Sequence, residues 1–218
     1  MLIRDWDAPV DPEEWRTWLA TSAPFGQLAV NAMDPDAAPI VLPTHVAIEG
    51  ERLLAHFATP NPAWPHLERA RRARFTVSGD DAYVPSTWRV VGETPREHGV
   101  PTSYYAAVQF TCSVEVVDDP DGKAEILAIQ LRHSQPEGGH SPVAPGAAPY
   151  GPMLAGIRGL RLDILEIAAK FKFDDHKPIE LRHEIAARLD ARGRTHDGVA
   201  AREQRRRIEA AGTWRGRR

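Results

Sequence analysis

The 218-residue chain has a single cysteine, Cys112. No disulfide can close within the chain, and a reducing cytoplasm is the expected setting. Long apolar runs are also lacking. Nothing approaches the roughly 20 residues needed to cross a bilayer, and Asp5 and Asp7 stand where a signal peptide's apolar region would begin. A membrane partner is therefore not expected. No Cys/His cluster has metal-ligand spacing, and no glycine-rich phosphate loop lies between a strand and a helix. No Ser-His-Asp or Cys-His arrangement follows from spacing, and no helix-turn-helix pattern is visible. The composition, 42% hydrophobic and 26% charged, is that of a globular chain and argues against disorder.

What is present begins with a long alternation. Tyr104, Ala106, Val108, Phe110, Cys112, Val114 and Val116 are apolar or aromatic, while Tyr105, Gln109, Thr111, Ser113 and Glu115 between them are mostly polar. This period of two predicts a long strand with one face on a core, curved as barrel strands are. Cys112 falls on the apolar side, which predicts a buried, inert thiol. Gln109 falls on the other side.

Around that strand, Asp11-Pro12 and Asn61-Pro62 read as helix starts, as does Asp119-Pro120 before a helix with Ala124, Leu127, Ala128 and Leu131 on its inner side. At least six strands with few intervening helices point to a mainly β fold, a barrel with peripheral helices. Gly79-Asp80-Asp81 reads as a turn, and 134–151, rich in proline and glycine, as a long loop. The core domain is expected over 1–180, followed by a helical, Arg-rich extension over 181–218. Its last 25 residues carry a net charge of about +5 on an otherwise acidic chain. Glu203 and Glu209 among the arginines predict a solvated helix, dispensable for folding.

Several segments, in order, resemble the PaiB-like family of FMN-binding negative transcriptional regulators. They are Pro24-Phe25-Gly26, Ala55-His56-Phe57-Ala58 with Asn61-Pro62-Ala63-Trp64, Asp81-Ala82-Tyr83-Val84-Pro85-Ser86 with Trp88, Val100-Pro101-Thr102 with Tyr105-Ala106-Ala107-Val108, and Lys170-Phe171-Lys172. The resemblance implies a split β-barrel of the FMN-binding type, related to the pyridoxamine-phosphate-oxidase-like flavoproteins. It further implies a homodimer with flavin at the subunit interface. The chain departs from the family at Ser103-Tyr104-Tyr105, where Trp-Asn-Tyr is usual, and at Gln109, where His is usual. It departs also at Val41-Leu42-Pro43-Thr44 and at Phe173-Asp174-Asp175-His176.

FMN requires cations or N–H donors for its phosphate, hydrogen bonds to the flavin edge and an apolar slot. Lys170 and Lys172 share a strand face and suit the phosphate. A solvated basic edge would place them there equally well. Ser78, Gly79, Thr102 and Ser103 lie at strand ends where a backbone can approach a ligand, and Tyr83 can flank a ring. Gln109 offers both a donor and an acceptor to the flavin edge. His56 would bond the cofactor or, with haem in place of FMN, serve as axial ligand, since some relatives on this scaffold are haem enzymes. Two functions stand beside a flavin-linked redox protein or flavin-responsive regulator. One is a repressor touching DNA through the basic tail, whose densest run is 202–207. The other is a haem or deazaflavin enzyme.

Overall fold

The computed structural model describes residues 1–20, 24–79 and 81–211. Asp80 of the expected turn and residues 212–218 of the expected tail lie outside them. Nine strands are present among these residues: β1 (Phe25–Val30), β2 (Ile40–His45), β3 (Ala47–Glu49), β4 (Arg52–Ala58), β5 (Arg72–Ser78), β6 (Ala82–Val84), β7 (Thr102–Ser113), β8 (Glu115–Val117) and β9 (Ile157–Lys172). The helices are α1 (Glu14–Leu19), α2 (Trp64–Arg69), α3 (Pro120–Ser134), α4 (Tyr150–Met153), α5 (Ile179–Arg192) and α6 (Asp197–Ala211). The sheet runs β2-β1-β5-β7-β9-β4-β3, with β6 on β7 and β8 on β9. The fold is mainly antiparallel β with helices, as the alternation and the turn spacing predict. Pro43 sits in β2, at the end of that order, where its missing N–H breaks no ladder.

The chain forms two compact units. One comprises Leu19–Val77 and Gln109–Ile167; the other comprises Met1–Trp18, Ser78–Val108 and Ala168–Arg218. In the first, the barrel unit, Leu28, Phe75, Phe110, Leu53, Leu160 and Leu162 fill the interior. Phe75 and Phe110 stack with centroids 6.5 Å apart. β4 is apolar on both faces because α3 covers the outer one. Leu54 packs there with Ala47, Val117, Ile126 and Ile129. Gly159 permits this close approach, since a Cβ at that position would meet Ile126 Cδ1 at 2.6 Å.

Asp119 caps α3 by accepting from the Gly122 N–H at 2.6 Å, as expected. The inner side of α3 is rotated from the expectation, however. Lys123, Ile126, Ile129 and Gln130 are buried, while Leu127, Ala128 and Leu131 are only partly covered. The apolar pattern misled because two polar residues are satisfied inside. The Lys123 ammonium donates to the carbonyls of Leu154 (2.7 Å) and Ile157 (3.2 Å), and Gln130 pairs with a histidine. The long alternation also stops earlier than expected. β7 ends at Ser113, and β8 then buries Val117 rather than Val116, because Val117 sits opposite Gly159 on β9.

Cys112 is fully buried, and burial pushes its thiol up to about 12, with the charge of Asp163 adding to the effect. A thiol-reactive dye should therefore label nothing in the native protein and one group per chain in denaturant. Rapid labelling without denaturant would place Cys112 outside the core.

The second unit gathers α1, β6, α5 and α6, and here the expectation of a solvated tail fails. α6 buries Asp197, Ala200, Ala201, Gln204, Arg207 and Ile208, the i, i+3, i+4 spacing of a core-facing stripe. Arg207 is 1% exposed. Its guanidinium donates to both Glu14 oxygens (2.9 and 2.7 Å), to Asp175 Oδ2 (2.8 Å) and to the Ala8 carbonyl (3.0 Å). Arg182 of α5 takes the other Asp175 oxygen. A second knot lies beside it. Tyr104 donates to Asp174 Oδ2 at 3.1 Å, Arg89 grips the same carboxylate at 2.7 and 2.8 Å, and Gln204 donates to the Tyr104 oxygen at 3.0 Å. Burial, reinforced by the charge of Asp174, raises the Tyr104 phenol well above its ordinary value, so it remains a donor.

Candidate functional site

In the barrel unit, the alternation of β4 sends Leu54 and His56 to the face that α3 covers. His56 lies opposite Gly159 on β9, and its Nδ1 is 2.6 Å from Gln130 Oε1. An amide oxygen can only accept, so Nδ1 carries a proton, and in the neutral ring Nε2 is left as an acceptor. The same bond turns the Gln130 amide nitrogen away from His56 as an available donor. Gln130 lines a cleft of about 440 Å³ together with Phe25, His45, Val46, Ala47 and His133. Phe25, Val46 and Ala47 make an apolar wall, and Gln130 and the two histidines supply polar tips, the composition of a small-molecule site. His133 also faces Glu49, with Nε2 3.4 Å from a carboxylate oxygen.

Gln109 belongs to the same unit, in the half of β7 that the unit contains. Its Oε1 is buried and has no hydrogen-bond partner. A desolvated acceptor left unpaired costs about 1–3 kcal/mol, so this atom calls for a donor that the chain does not provide. A flavin ring N–H is such a donor. The barrel unit thus offers two features that suit the group that the resemblance implies, an unpaired acceptor on Gln109 and a donor on Gln130 at the cleft.

The remaining candidates fall in the second unit. Tyr83 is half exposed on β6, opposite Ser103, and Val84 lies opposite Thr102, so Tyr83, Thr102 and Ser103 come together at one end of β7. Ser78 ends β5 and is exposed. The Gly79 N–H donates to the Ala106 carbonyl at 2.9 Å, and a Cβ there would meet Trp18 Cζ2 at 2.7 Å. Lys170 and Lys172 do share a face, each with its ammonium 5.6 Å from the centre of the Tyr105 ring. Lys170 is buried, however. It donates to the Leu2 carbonyl at 2.9 Å and stands 3.7 Å from Asp7. Burial pushes the Asp7 carboxyl up, and the two lysines pull it back. Lys170 is thus engaged by the N-terminal segment, and Lys172 is the more available of the pair.

Sequence reasoning did not single out Gln130. The signal was its position on the helix that follows the long strand, but its partner lies 74 residues away, and a glutamine on an apolar face has no spacing signature. The basic run expected to meet DNA is largely paired. Arg205 bonds Asp190, Arg206 bonds Glu203 and Glu14, and Arg207 is buried. No cluster of three or more His, Cys, Asp or Glu residues is placed to hold a metal, and no helix is long and apolar enough to cross a membrane, among the described residues.

Residues 1–166 match a protein-family model described as "Putative FMN-binding domain". Among solved structures, the chain is similar to the flavocytochrome Anf3 from Azotobacter vinelandii, with a TM-score of 0.56 and 19% identity over 77% of this chain and 70% of that one. It is similar also to an FAD- and haem-binding protein from Mycobacterium smegmatis, with a TM-score of 0.53 and 20% identity over 75% and 72%. At these identities the likeness is one of fold, the split β-barrel. No curated protein matches the chain in sequence. A family match covering three quarters of the chain, on a barrel with this architecture, places the protein: it belongs to the FMN-binding-domain family.

Proposed function

We propose that the chain binds flavin mononucleotide through its barrel unit and works as a flavin-linked redox protein or a flavin-responsive regulator of the PaiB type. The observation that carries this reading is the buried, unpartnered Gln109 oxygen within the matched domain. The apolar wall of Phe25, Val46 and Ala47 receives a ring, and Gln130, held by His56, donates to a flavin carbonyl. Bound flavin supplies one- or two-electron transfer. The residues named bind the ring, orient it and keep water from it.

A second reading has one specific observation behind it. His56 donates from Nδ1 to Gln130 and keeps Nε2 as a lone-pair donor, the arrangement that orients histidines which ligate metals. Haem, which His56 Nε2 would hold, is therefore the alternative cofactor. A DNA-binding regulator would rely on Arg202 and on residues 212–218, since most other cations of the tail are paired.

The dimer implied by the resemblance has support in the barrel unit. Phe25 is 57% exposed and Val41 53% exposed, on neighbouring antiparallel strands, and Leu165 and Ile167 of β9 are also exposed. A self-complementary two-fold contact would cover them. Gel filtration of the FMN-loaded protein with light scattering and absorbance detection should give twice the chain mass, with flavin in the same peak. A monomer at micromolar concentration would contradict the dimer. A red-brown peak with a haem spectrum would favour the alternative.

A further inference from the structure

The arginines of the barrel unit divide into two groups. Arg52, Arg132, Arg158 and Arg161 each face a carboxylate: Asp163 at 2.8 Å, Glu49 at 3.7 Å, Asp118 at 2.6 Å and Glu125 at 2.9 Å respectively. Arg69, Arg71, Arg72 and Arg74 do not. Arg69 reaches the Met33 sulfur at 3.6 Å, Arg74 donates to the Thr111 hydroxyl at 3.2 Å, and Arg71 and Arg72 have no hydrogen-bond or ion-pair partner among the described residues. Four arginines thus fall within six residues, at the turn where α2 ends and β5 begins, and none of them is in an ion pair among the described residues. Like charges this close repel. A chain that pairs its other barrel-unit arginines has left these open.

The cluster is also concave. Asn31, Met33, His66, Arg69, Arg71 and Arg72 line a depression of about 610 Å³, and no carboxylate lines it. The Met33 N–H donates to His66 Nδ1 at 3.0 Å, so a neutral His66 carries its proton on Nε2. Arginine, histidine and the asparagine amide all present N–H donors here. One acid, Glu166, lines a neighbouring depression with Arg72 and Arg74, which shares Asn31 and Arg72 with this one.

From this we infer that the depression is an anion site that takes the phosphate or pyrophosphate group of a phosphorylated small molecule. Guanidinium forks match the geometry of phosphate oxygens in pairs, and a doubly charged anion relieves the repulsion among the three arginines that line the depression. The shared chemistry is the phosphate. It comes either with the flavin mononucleotide or with a second, separate phosphorylated ligand. None of the residues expected from the sequence to serve the FMN phosphate lies in this cluster.

The probe is inorganic pyrophosphate, titrated calorimetrically into the full chain. Three proteins are compared: the natural chain, Arg71→Gln/Arg72→Gln, and the equal-charge control Arg52→Gln/Arg132→Gln. Saturable binding should be seen in the natural chain and the control, and should weaken at least tenfold in the first variant. Arg71→Gln alone should show an intermediate loss, and because these side chains are exposed the melting temperatures should match. FMN and riboflavin titrations separate the sources. If the phosphate is the flavin's own, the double variant loses FMN affinity but not riboflavin affinity, and pyrophosphate competes with FMN. If the ligand is separate, FMN affinity is unchanged and pyrophosphate does not displace it. Equal pyrophosphate binding by all three proteins, or none by the natural chain, overturns the site whether or not flavin binds.

Discussion

Arg207→Ala is expected to lower the melting temperature by about 10 °C or more. The guanidinium is buried between Glu14 and Asp175 and bonds both. Its removal leaves two buried carboxylates each short of a partner, Asp175 left with Arg182 and Glu14 with Arg206, and deleting one partner of a buried ion set costs about 3–5 kcal/mol. For a chain of this length each kcal/mol moves the midpoint by about 2–4 °C. Arg205→Ala is the matched control, because its pair with Asp190 is exposed on both sides and is worth about 0–1 kcal/mol. Circular-dichroism melts of the two variants decide the matter. Equal shifts would return α6 to the status of a solvated appendage. The same reasoning predicts that truncation before Asp197 gives insoluble protein, since it removes the face carrying Ala200, Ala201, Gln204 and Ile208 as well as Arg207.

Gln109→Ala is expected to weaken FMN binding by about tenfold to a hundredfold, from the 1–3 kcal/mol that one hydrogen bond in a desolvated pocket contributes. The melting temperature of the flavin-free protein should scarcely change, because the Gln109 oxygen has no partner in the chain to lose. Gln109→His restores a side chain able to bond a ring edge and should retain more affinity than alanine. Equal dissociation constants for all three proteins would remove Gln109 from the flavin site.

Much of the barrel was legible because period-two alternation depends only on local order. Tyr104, Ala106, Val108, Phe110 and Cys112 are all buried as read. The misreadings of the helices share one cause. Arg207, Lys123 and Gln130 sit on buried faces because their polar ends meet groups 193, 31 and 74 residues away. A sequence shows a charge and an apolar neighbour, but not the distant carboxylate or carbonyl that makes burying the charge tolerable. The helix stripes were therefore read as solvated or rotated. At the candidate site, the motif carrying His56 was legible in the sequence. The partner of His56 was not, and the open arginines of 69–74 become distinctive only when the other barrel-unit arginines are seen to be paired.

The central claim is that this chain holds a flavin. Flavin-free full-length protein titrated with FMN, followed by quenching of flavin fluorescence, tests it most directly. The account predicts saturable quenching with one FMN per chain and a weaker curve for Gln109→Ala. FMN fluorescence left unchanged by a folded, excess concentration of protein would contradict it.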